Sequence, residues 1–86
     1  MAVLCTCLVV LTACVTNPPY QEMSDARQAI QAATEAGADE AEPYLMRLAG
    51  RHLRNAKVAM KERRFNAARN EAMLAHQKAT EALRNK

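Results

Sequence analysis

The sequence predicts an all-α protein: an antiparallel helical hairpin with a shorter helix before it, all placed after a cleaved signal segment. Three observations carry this prediction. Eighteen of the 86 residues are Ala and only two are Gly, a composition that favours helix. Apolar residues recur at helical spacing from Met23 to Leu83. Only three residues are aromatic, Trp is absent and nothing resembles a Gly-rich phosphate loop. The length allows one small domain. A large core, a nucleotide-binding fold and a self-sufficient enzyme are all disfavoured.

The first element is an export signal. Residues 1–14, MAVLCTCLVVLTAC, contain no charged side chain, and all twelve Lys and Arg lie further on. The apolar run is shorter than the ~20 residues a spanning helix needs, but it suits the h-region of a secretory signal. Leu11-Thr12-Ala13-Cys14 resembles the lipobox of bacterial lipoproteins. Small residues at 12 and 13 let extended backbone enter a narrow peptidase cleft, and the Cys14 thiol can take a diacylglyceryl group as a thioether. Residues 1–13 are therefore read as a lipoprotein signal peptide, and Cys14 as the lipidation site and membrane anchor. The alternative is a buried N-terminal helix with Cys14 in a core. Cys5 and Cys7 fall inside the signal and read as apolar filler rather than a metal or redox pair. The mature chain then has no structural disulfide and no Cys-based metal site.

Residues 14–22 are read as anchor and tether, because Pro18-Pro19 breaks helix and favours extended chain. Residues 23–86 form the small Ala-rich helical domain. Ser24 offers an N-cap, with Asp25 in the first turn. Met23, Ala26, Ile30 and Ala33 follow at helical spacing, and Gly37 supplies a stop. The first helix is thus expected over about Asp25 to Ala36.

Asp39, Glu40 and Glu42 gather where a helix N-terminus favours acids, and Pro43 suits a first turn. The second helix is expected to run to about Arg63. Leu45, Leu48, Ala49, Leu53, Ala56, Ala59 and Met60 share one arc. Arg47, Arg51, Arg54, Lys57 and Lys61 share the opposite one. Arg63-Arg64 marks the turn. Phe65, Ala68, Ala72, Ala75, Ala79 and Ala82 then repeat with alternating spacings of three and four, a narrow seam like that of a coiled coil. Glu71 falls on the outer arc. Matched lengths and a tight connection predict an antiparallel hairpin in which position 60 faces 68.

Charge is unevenly spread. Residues 15–43 carry one Arg and six acids, a net of −5; residues 44–86 carry eleven Lys and Arg and three acids, a net of +8. One reading packs the acidic first helix against the basic hairpin and partly neutralises it. The other makes Arg47, Arg51, Arg54, Lys57 and Lys61 a binding face for anionic lipid, peptidoglycan carboxylates or an acidic envelope protein. No nucleic acid is expected as a partner, because stacking aromatics are nearly absent and an exported protein does not meet the chromosome. His52 and His76 fall at one level of the hairpin, and could meet across the seam as a metal half-site or a pH-sensitive contact. Packing against aliphatic neighbours is the plainer reading, so no metal and no cofactor are expected. There is no Ser/His/Asp arrangement and no free Cys nucleophile, so no catalytic residue is assigned.

The lipobox, the Pro-containing tether and the Ala-rich helices occur together here. Arg63-Arg64-Phe65-Asn66-Ala67-Ala68-Arg69 is a variant of a Gly-Asp-Tyr-x-x-Ala-Arg helix start, with Arg63-Arg64 in place of Gly-Asp. In these features the chain resembles a family of small bacterial helical lipoproteins catalogued as a domain of unknown function. The resemblance covers most of Cys14 to Lys86. It implies a domain that stands alone or precedes an OmpA-like peptidoglycan-binding domain, and it brings no catalytic residues. The expected function is that of a non-catalytic lipoprotein, an adaptor or spacer anchored to the outer membrane and facing the periplasm. Val15 after the anchor, rather than Asp, resembles lipoproteins sorted to the outer membrane. The alternative expectation is a self-assembling lipoprotein that forms a homo-oligomer through its Ala seam.

Overall fold

Pro19, Gly37, Glu42 and Arg63 punctuate residues 17–86 into four helices. The computed structural model describes residues 17–86. Helix α1 is Tyr20–Glu35, α2 is Ala38–Ala41, α3 is Pro43–Lys61 and α4 is Phe65–Asn85. Among the described residues there is no strand, so the protein is all-α. The signal segment 1–13, with Cys5 and Cys7, and the anchor Cys14 lie outside the described residues.

The first helix starts a turn and a half earlier than the Ser24 cap predicts. Its N-cap is Pro19, whose ring is fully buried and whose carbonyl accepts from the Met23 N–H at 3.0 Å. A proline costs nothing at a helix start, where the missing N–H has no partner to lose. Tyr20–Glu22, expected in the tether, thus form the first turn of α1. Ser24 lies inside the helix, where its hydroxyl accepts from Gln28 Nε2 at 3.3 Å. Gln21–Asp25 and Gln31–Glu35 make similar contacts one turn apart, the spacing at which helix neighbours meet.

Gly37 ends α1 as expected. Its φ of +86° is left-handed, and its N–H donates to Thr34 O at 3.0 Å. The acids that follow do not open the next long helix. Asp39 and Glu40 sit in the single turn of α2, and the chain breaks at Glu42, with φ −136° and ψ 63°. The residue before a proline is pushed out of the helical region, so Glu42 cannot continue α2, and Pro43 starts α3 afresh.

The turn from α3 to α4 lacks Gly yet adopts a geometry that favours it. Arg63 has φ +59°. Its N–H donates to Met60 O at 3.0 Å, and the Arg64 N–H donates to Ala59 O at 2.9 Å. Those two bonds make a Schellman ending, with Arg63 at the left-handed position. That is the position where the resembled helix start carries Gly. Arg63 also lies over Phe65, its guanidinium carbon 5.6 Å from the ring centroid.

Helices α1 and α3 both pack chiefly on α4 and touch each other far less. Ala68, Ala72, Ala75, Ala79 and Ala82 are all fully buried, so the predicted seam is the contact line. Ala56 packs with Ala72, and Met46 and Ala49 pack with Ala79 and Ala82. These pairings keep the expected antiparallel register. Helix α1 runs parallel to α4, with Met23 near Ala72 and Ala33 near Ala79 and Ala82.

The core is almost entirely Ala. Among the described residues, Met23, Met46 and eleven alanines are buried beside Pro19, whereas Leu45, Leu48, Leu53, Met60 and Phe65 are half-buried flanks. Met46, absent from the expected arc, is its largest buried member. An Ala side chain loses no rotamer freedom on burial, and it lets helix axes approach towards the lower end of the ~8–10 Å range. The Ala seam, through which the alternative expectation forms a homo-oligomer, is packed here against α1 and α3 of the same chain.

Candidate functional site

The outer face of α3 carries Arg47, Arg51, Arg54, Lys57 and Lys61, and all five are exposed. They are positioned by amphipathicity: Met46, Ala49, Ala56 and Ala59 turn inward, which leaves the opposite arc to solvent. No Asp or Glu occurs between Arg47 and Lys61. Like charges one turn apart destabilise a helix by roughly 0.2–0.5 kcal/mol per pair, and here Arg47 stands before Arg51 and Lys57 before Lys61.

The acidic first helix does not relieve this repulsion. It lies along α4, where Glu22 pairs with Arg69 at 3.5 Å, and Arg69 also donates to Asn17 O at 3.0 Å. Among the described residues the other ion pairs are His52–Glu71, Glu62–Arg64 and Lys78–Glu81. None uses the α3 stripe. Thus the expected neutralisation reaches α4 at Arg69, while the stripe stays uncompensated.

The stripe is not uniform. Lys57 and Lys61 also line a cavity of about 380 Å³ against α1, together with Tyr20, Met23, Arg27 and Met60. Sequence reasoning missed Arg27, the one cation of residues 15–43, because its approach to α3 depends on where α1 docks.

The two histidines face different partners. His52 Nδ1 lies 2.6 Å from Glu71 Oε2, so Glu71 is half-buried and bonded rather than idle on the outer arc. His76 is exposed and borders a hollow with Glu22, Asp25 and Met73. Positions 71 and 76 of α4 differ by about 140° around the helix, which turns the histidines apart. Among the described residues no group of three His, Cys, Asp or Glu side chains is arranged to hold a metal ion. Among those residues, too, no helix is long and apolar enough to cross a membrane.

A family model described as Domain of unknown function (DUF4398) matches residues 21–85. The chain belongs to this family. The match runs from the first turn of α1 to the end of α4, so the DUF4398 unit here is the whole helical domain, with α4 held between its neighbours. The DUF4398 match agrees with the resemblance read from the tether, the helices and the Arg63–Arg69 helix start. No curated protein and no solved structure matches the chain.

Proposed function

We propose that this DUF4398 protein is a non-catalytic lipoprotein of the bacterial cell envelope. Cys14 carries the lipid, the helical domain faces the periplasm from the outer membrane, and the protein acts as an adaptor or spacer. Its binding element is the basic face of α3, directed at anionic lipid, peptidoglycan or an acidic envelope protein. The observation that carries this reading is the stripe itself: five exposed cations on one helix, none of them ion-paired among the described residues, with Glu22 of the acidic helix paired instead to Arg69 of α4. Near an anionic membrane each Lys or Arg contributes ~1 kcal/mol, so five cations suffice for measurable association. The attraction is screened over ~8–10 Å at ordinary salt.

The test is co-sedimentation of residues 17–86, free of any lipid, with anionic vesicles and with peptidoglycan fragments. Binding is expected at low salt and is expected to weaken as salt rises. Arg51→Glu, Arg54→Glu and Lys57→Glu combined should abolish it without loss of helix. If neither protein binds at low salt, the stripe is a solvated face and the reading fails.

A further inference from the structure

We infer that the groove between the start of α1 and the end of α3 holds one acyl chain of an anionic lipid, with Arg27, Lys57 and Lys61 gripping the headgroup. This inference rests on the proposed function, in which the basic face of α3 meets an anionic membrane, and it names the ligand of one end of that face. The floor of the groove is Met23 and Met60, and Tyr20 stands at its edge. Met23 is only 5% exposed and packs on Ala56 and Ala72, with Met60 against the same cluster. The floor is therefore closed by packed side chains. Methionine is unbranched and polarisable, and it adapts to a flexible apolar ligand. Tyr20 is two-thirds exposed, and its ring combines an apolar body with a polar tip, the pattern favoured at membrane interfaces. The groove is open to solvent along its length and has a volume of about 380 Å³.

The charge around this floor is of one sign. Arg27 comes from α1, and Lys57 and Lys61 come from α3; no carboxylate lines the groove. Among the described residues none of the three is ion-paired. Arg27 is the single cation of the otherwise acidic residues 15–43, and the fold brings it to this spot. A small hydrophilic anion needs no methionine floor, and a neutral hydrocarbon needs no cationic rim. The two together match an anionic amphiphile. The groove also lies at the end of the molecule where residue 17 enters the domain, beside Tyr20. Cys14 precedes Asn17 by three residues in the sequence, a reach of at most roughly 10 Å. A lipid on Cys14 holds this end at the membrane surface.

The experiment uses the full-length chain with phosphatidylcholine vesicles doped with phosphatidylglycerol that carries a photoreactive diazirine in its acyl chain. After illumination, mass spectrometry locates the adducts. They are expected on Tyr20, Met23 and Met60. Their yield should fall about tenfold in Lys57→Glu/Lys61→Glu, since each charge is lost and reversed at an anionic surface. Both residues are exposed, so that variant keeps the fold, which circular dichroism checks. A diazirine phosphatidylcholine probe should label the groove weakly. Adducts that miss these three residues, or equal labelling by the two probes, overturn the inference. If residues 17–86 still co-sediment with anionic vesicles while adducts miss the groove, the groove assignment fails alone. If groove adducts persist although reversing Arg47 and Arg51, which lie outside the groove, leaves co-sedimentation unchanged, the proposed function of the stripe fails instead.

Discussion

His52 Nδ1 hydrogen-bonds to Glu71 Oε2 over 2.6 Å, joining the middle of α3 to the first half of α4. A carboxylate accepts, so the proton of this bond sits on Nδ1. Elsewhere along this helix pair the buried contacts are Ala and Met, and the bond supplies polar specificity that alanine lacks. Only 20% of the His52 side chain and 28% of the Glu71 side chain reach solvent, so water competes weakly for it.

Glu71→Ala is therefore expected to lower stability by about 1 kcal/mol. For a domain of this size that amounts to about 4–8 °C in melting temperature. His52→Ala should cost a similar amount, and the double variant little more than either single. Thermal melts followed by circular dichroism decide this, with exposed Glu62→Ala as the near-silent control. Fully additive losses would show that the two side chains act independently.

Ala72 lies at zero exposure where α4 meets both Ala56 of α3 and Met23 of α1. Ala72→Glu would place a carboxylate in that contact with no partner, a cost of several kcal/mol against the ~5–15 kcal/mol that holds a typical domain together. The variant should be largely unfolded at room temperature. Asn70→Glu, on the exposed outer side of α4, should melt within a few degrees of wild type. Equal melting of the two would mean that the seam is not the contact line.

Arg63 holds the turn between α3 and α4 at φ +59°. Asn adopts that left-handed conformation readily, and a β-branched residue does so only under strain. Arg63→Asn should leave stability within about 0.5 kcal/mol of wild type, allowing for the lost stacking on Phe65. Arg63→Val should cost about 1–3 kcal/mol. Urea denaturation of the two variants measures the difference. A valine variant as stable as the asparagine one would contradict the turn geometry.

These sites differ in how far the sequence revealed them. The seam of Ala68, Ala72, Ala75, Ala79 and Ala82 was legible because its alternating spacing is itself the contact geometry of a helix pair. The stripe from Arg47 to Lys61 was legible for the same reason, as the complement of a buried arc. The start of α1 was not. Ser24 has the chemistry of a cap, but Pro19 serves as N-cap a turn and a half earlier and brings Tyr20–Met23 into the helix. The break at Glu42 follows from Pro43, yet nearby acids read equally well as one helix start. The His52–Glu71 bond and the Arg27–Lys57–Lys61 groove depend on the rotation of α4 and on the parallel docking of α1. No local pattern encodes either.

Salt should separate the stripe from the anchor. Association of residues 17–86 with anionic vesicles is expected to weaken several-fold on raising salt from low to physiological strength, as the Debye length shortens to ~8 Å. Arg47→Glu with Arg51→Glu should weaken it at low salt, and neutral vesicles should bind neither protein. Salt-independent association measured by flotation would point to apolar insertion in place of charge.

The mass of the N-terminal peptide from protein isolated with bacterial membranes tests the lipid anchor at Cys14 most directly. The expected peptide begins at Cys14, lacks residues 1–13 and carries the added mass of a diacylglyceryl group, with or without a further acyl chain. A peptide that still contains residues 1–13 and an unmodified Cys14 thiol would contradict lipid anchoring at Cys14.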